Sequence, residues 1–138
     1  MHKVLILLAA TVLPVTGAAQ NDGLQEAAER ARHAWLTHNS TALVADSPRL
    51  VVQLPGADPS VALGPAQAAA LLRDFVASAQ EVETSIRAAR KVGDESGYVE
   101  LQRKYRVSGT QDVLEQVLLL SYRRVSKGWL LVEFRVVG

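Results

Sequence analysis

Gly128-Trp129-Leu130-Leu131-Val132-Glu133-Phe134-Arg135-Val136-Val137 ends the chain as an extended, largely apolar run, set off by the turn Ser126-Lys127-Gly128. Working back from it, Asp112 to Val125, Tyr98 to Val107 and Glu81 to Val92 read the same way. They are separated by Ser108 to Gln111 and by Gly93-Asp94-Glu95-Ser96-Gly97. Apolar and polar residues that alternate between Gly-containing turns predict antiparallel strands with one buried face. Asp112 to Val125 is expected to be the longest strand.

The first half of the chain has helical periodicity instead. Leu24, Ala27, Ala28, Ala31 and Trp35 fall on one stripe, with Asn21 or Asp22 able to cap the helix start. Asn39 and Ser40 begin a second, short helix reaching Ala45, and Asp46-Ser47-Pro48 stops it. Arg49 to Leu54 reads as a short strand, with Ser60 to Leu63 as its hairpin partner across a turn at Pro55 to Pro59. Gly64-Pro65 opens a third helix, with proline where its missing amide costs nothing. Ala68, Leu71, Leu72, Phe75, Val76 and Ala79 form its buried stripe.

The order is helix, short helix, hairpin, helix and four antiparallel strands. With Leu50-Val51-Val52-Gln53-Leu54-Pro55-Gly56, the Gly64-Pro65 helix ending in Leu71-Leu72-Arg73-Asp74-Phe75, and Gly128-Trp129 opening the last strand, it resembles the nuclear-transport-factor-2-like superfamily. That superfamily includes ketosteroid isomerase and the SnoaL-like proteins. The resemblance covers residues 20–138 and is nearest to small exported members of unknown function. It implies an α+β fold of cone-shaped, cystatin-like layout, with three helices packed on a curved, mostly antiparallel sheet. The motifs are architectural and carry no chemistry of their own.

The 138 residues suit one domain, taken here as 20–138. Residues 1–19 have the layout of a signal peptide. His2 and Lys3 precede an apolar run from Val4 to Leu13, and Gly17 and Ala19 are small enough for a cleavage site. The alternative, an uncleaved anchor, would need about 20 apolar residues to span a bilayer. Secretion or a bacterial periplasm follows, with no stable membrane anchor after cleavage. Cysteine is absent, which excludes disulfides and thiolate metal sites. Removing Lys3 from the 15 basic residues leaves 14 against 14 acidic, so no net charge draws the mature chain to nucleic acid.

Strand alternation assigns the faces. Val99, Leu101, Arg103, Tyr105 and Val107 are expected to face the helices, and a short turn brings Leu114, Gln116, Leu118, Leu120 and Tyr122 to the same side. Leu130, Val132, Phe134 and Val136 complete that inner face. A one-residue slip would invert the assignment. Val117, Leu119, Trp129 and Leu131 then fall on the outer face, beside Lys104, Glu133 and Arg135. So apolar an outer surface suggests cover by a second subunit, and the resemblance implies the same homodimer through the sheet.

Arg103 is the sharpest candidate for function. Burying a guanidinium is costly unless it is paired or bound to an anion. With Tyr105 and Gln116 it could orient the polar group of a small apolar ligand, while Tyr122, Phe75 and Trp35 supply pocket wall. The plainer and preferred alternative is that Arg103 pairs with an acid from the helices or snorkels out of the sheet end. Superfamily enzymes acting on ketones need an Asp base facing an oxyanion-stabilising Tyr or acid, and no residue set here matches. Glu100, Glu115 and Glu133 fall on the outer face, and Asp46 stands alone. His33 and His38 do not share a helical face, so neither a metal nor another cofactor is indicated. The expected function is therefore non-enzymatic: a small-ligand-binding or accessory domain. An isomerase, dehydratase or cyclase on the same scaffold, or an interaction module using the outer sheet face, is the alternative.

Overall fold

The computed structural model describes residues 23–126 and 128–138. The signal-peptide reading of residues 1–19 and the cap at Asn21 or Asp22 lie outside them. Helix α1 (Leu24–Leu36) is followed by α2 (Ser40–Leu43), β1 (Val51–Gln53), α3 (Pro65–Val76), β2 (Ala79–Val92), β3 (Ser96–Val107), β4 (Leu114–Val125) and β5 (Gly128–Val137). The five strands form one sheet in the order β1-β5-β4-β3-β2. The four long strands are antiparallel, as their alternation requires. No helix among the described residues is long and apolar enough to cross a membrane.

Two expectations are corrected here. Ser60 to Leu63 forms no strand; it meets β1's approach through a single bridge, Leu50 to Leu63, and a bond from the Ser60 amide to the Val52 carbonyl. Strand β1 instead docks parallel on β5, with Val52 opposite Phe134. The longest strand is β2, at 14 residues, rather than β4 at 12.

Helix α1 lies along β2 on the concave face, burying Leu24, Ala27, Ala28, Ala31, Ala34 and Trp35. Its first turn sits on Gly97, where a Cβ would come within 2.9 Å of a Leu24 methyl and 3.1 Å of the Trp129 ring. The helix ends in a Schellman turn. The His38 amide donates to the Trp35 carbonyl at 3.0 Å and the Asn39 amide to that of Ala34 at 2.8 Å. Such turns favour glycine at the left-handed position, yet His38 holds it at φ 56°. Asn39 then caps α2 by accepting the Ala42 amide.

On β3 and β4 the expected inner face holds for Val99, Leu101, Arg103, Gln116, Leu118, Leu120 and Tyr122, which are buried, while Tyr105 and Val107 are only half-buried and Leu114 is 43% exposed. On β5 the expectation fails halfway. Phe134 and Val136 are buried, but so are Trp129 and Leu131, while Leu130 and Val132 are only half-buried. The reason is a β-bulge: Ser121 pairs with Glu133 and Tyr122 with Leu131, leaving Val132 without a partner. An extra residue inverts the alternation on one side of it. Trp129 and Leu131 thus belong to the core and do not contribute to an outer-face interface. Two further bulges lie in β2, at Val82 and Arg87.

Candidate functional site

Three strand positions and the end of α1 build one polar cluster inside the sheet. Glu81 stands opposite Tyr105 on β3, and Arg103 opposite Gln116 on β4. The Arg103 Nε donates to Glu81 Oε1 at 3.0 Å, its Nη2 to Oε2, and its Nη1 to the Gln116 side-chain oxygen at 3.0 Å. Arg103 is 1% exposed and the Glu81 side chain 2%, so the pair is desolvated and the two-point geometry is what makes its burial tolerable. Trp35 Nε1 donates to Glu81 Oε1 at 2.9 Å, and His38 Nε2 lies 3.1 Å from Oε2.

Aromatic rings enclose the guanidinium. The Tyr105 ring centroid lies 3.8 Å from it, Trp35 5.0 Å and Phe75 5.9 Å. Trp35 in turn stacks on Phe134 at 5.3 Å. A cation on ring faces in a water-poor site gains more than one at the surface. Of the six residues anticipated to bind ligand, five (Arg103, Tyr105, Gln116, Phe75 and Trp35) therefore come together. They meet as a packed cluster around an ion pair, with the guanidinium covered.

The acid that completes the pair comes from β2, not from the helices. Alternation through Thr84 and Ile86, both facing inward, would turn Glu81 to solvent. The bulge at Val82 turns it in and leaves Val82 43% exposed. His38 was likewise not anticipated as a partner, because the left-handed turn that aims it, at φ 56°, is not marked by a glycine in the sequence. Outward acids behave as expected. Glu100 accepts from the Tyr98 hydroxyl at 3.3 Å, and Glu83 lies 3.8 Å from Lys104.

Tyr122, the sixth residue, stands apart from the cluster. It lies with Trp129 beneath a groove of about 590 Å³ between α1 and α2. Burial pushes its hydroxyl well above the ordinary tyrosine value, with the charge of Arg30 a lesser, opposing influence. The unfolded chain ionises this tyrosine near pH 10 and the folded chain only higher, so its contribution to stability is intact below about pH 10 and declines as pH rises further. Tyr122→Phe should accordingly flatten the loss of urea midpoint between about pH 9.5 and 11.5. Equal slopes for the two proteins would show the hydroxyl to be solvated.

With this geometry in place, solved structures supply the comparison. A DUF4783 family protein from Bacteroides uniformis superposes with a TM-score of 0.64 at 15% identity, over 80% of this chain and 94% of its own. A ketosteroid isomerase-like protein from Erwinia carotovora atroseptica gives 0.66 at 16% identity, over 82% and 91%. A nuclear-transport-factor-2-like protein with a cystatin-like fold from Novosphingobium aromaticivorans gives 0.61 at 18%, over 86% and 80%. The chain has the nuclear-transport-factor-2-like cone fold. At these identities the likeness concerns the fold alone. No protein-family model and no curated protein sequence matches the chain. Within the cone fold, the Arg103–Glu81 cluster occupies the inner face of the sheet, and the Tyr122 groove lies toward the turn joining β4 and β5.

Proposed function

We propose that this cone-fold chain is an exported small-ligand-binding or accessory domain that performs no chemistry of its own and works as a homodimer. One observation carries the non-catalytic reading. Glu81, the acid on the inner face, has its two oxygens engaged by Arg103, Trp35 and His38. A general base must have a free lone pair within reach of the substrate proton. An isomerase, dehydratase or cyclase would need such an acid or histidine, and Glu81 is committed to structure.

Support for self-association comes from the outer face. Val117 is paired with Gln102 on one side and Val137 on the other, and Leu119 lies between Glu100 and Arg135. An apolar strip flanked by opposite charges suits a second copy arranged about a twofold axis. Native mass spectrometry of the protein taken from the exported fraction tests the reading. The expected result is a dimer carrying a reproducible small extra mass, with Leu119→Glu shifting it to monomer. A monomer at micromolar concentration, free of added mass, would overturn it.

A further inference from the structure

We propose that the groove between α1 and α2 is the ligand site, and that it takes a small, mostly apolar molecule carrying a hydrogen-bond-accepting oxygen. This rests on the reading of the chain as a binding domain and moves the site away from Arg103. The groove shares no lining residue with the Arg103 cluster. Its volume of about 590 Å³ lies within the range of roughly 300–1,000 Å³ usual for small-molecule sites. Small side chains make the room: Ala27, Ala31 and Ala34 form the α1 wall, and Ala42 stands across from them on α2.

Two hydroxyls open onto this groove. Tyr122 is 7% exposed and Ser47 3%, yet neither hydroxyl forms a hydrogen bond among the described residues. Neither oxygen is sealed from solvent, since the one fully covered side-chain oxygen without a partner among the described residues is that of Thr84. A ligand oxygen seated in the groove can take the place of the water these hydroxyls otherwise meet. Both hydroxyls can donate, and burial keeps the tyrosine in its donating form. The titratable groups lining the groove with Tyr122 are Glu29, Arg30, Arg32 and His33 from α1 and Asp46 from the loop after α2. Arg30 and Asp46 form no ion pair among the described residues and also line an adjoining hollow of about 420 Å³ at the β4–β5 turn. The adjoining hollow lets the polar end of a longer molecule reach water between them.

The test uses prodan, a neutral naphthalene ketone whose emission shifts to the blue in apolar surroundings, titrated at equilibrium with the purified protein. Saturable binding is expected. Ala42 is exposed to the groove and outside the core, so Ala42→Phe fills the space without disturbing packing and should abolish the signal. Tyr122→Phe keeps the ring and removes the donor; binding should weaken about tenfold, the value of one hydrogen bond, while the melting temperature is unchanged or higher. Loss of prodan binding in Tyr105→Ala but not in Ala42→Phe would place the ligand in the cone and overturn the groove, leaving the binding reading intact. Absence of saturable binding to the unaltered protein would overturn the groove as well, and the extra mass sought by mass spectrometry then decides the binding reading by itself.

Discussion

Arg103→Met should cost about 3–5 kcal/mol of folding stability, the penalty for breaking a buried ion pair by removing one partner. The guanidinium leaves behind a Glu81 carboxylate 2% exposed, with only Trp35 and His38 to satisfy it. Methionine replaces much of the lost volume beneath Tyr105 and Phe75, so the effect is mainly electrostatic. The second substitution makes the argument specific. In Arg103→Met/Glu81→Gln both charges are gone, while the Gln oxygen still accepts from Trp35. The double variant should recover roughly half of the loss or more, because neutral isosteres of buried pairs are often tolerated. Urea denaturation of the four proteins in the cycle measures the coupling directly. Additive losses would mean that Arg103 acts through packing alone.

Phe134→Ala is expected to be comparably severe, about 3–5 kcal/mol, since the ring is fully buried and stacked on Trp35. It also reads the register of β5. Leu130→Ala and Val132→Ala, two positions that strict alternation would place beside Phe134 in the core, should each cost about 1 kcal/mol or less. A Leu130→Ala loss as large as that of Phe134→Ala would contradict the bulge at Val132, and with it the inward placement of Trp129 and Leu131. Equilibrium unfolding of the three single variants is sufficient to decide.

These two cases show where the sequence was legible. Strands β3 and β4 pair without irregularity, so a period of two carried correctly from Val99 to Arg103 and from Gln116 to Tyr122, and it placed Arg103 inside. The helices were plain because their apolar stripes and the Gly64-Pro65 start are local signals. Strands β2 and β5 contain bulges, and one extra residue reverses the face of everything beyond it. That single cause hid Glu81, the partner of Arg103, and sent Trp129 and Leu131 to the wrong side. The parallel docking of β1 on β5 was also out of reach, since its partner is remote in sequence. The open groove could not be read from Ala27, Ala31 and Ala34, because an alanine stripe on a helix usually means close packing.

The pairing of Val52 with Phe134 has a consequence for how the molecule assembles. These residues are separated by most of the domain, and closing so large a loop must be paid for in chain entropy before the contact returns anything. Strand β1 therefore cannot settle until β5 has joined β4. The helices and the β2–β3 hairpin can form from local contacts, but Phe134 reaches Trp35 only once β5 is in place. Until then the aromatic layer over Arg103 lacks its last ring, and the ion pair beneath it stays open to water.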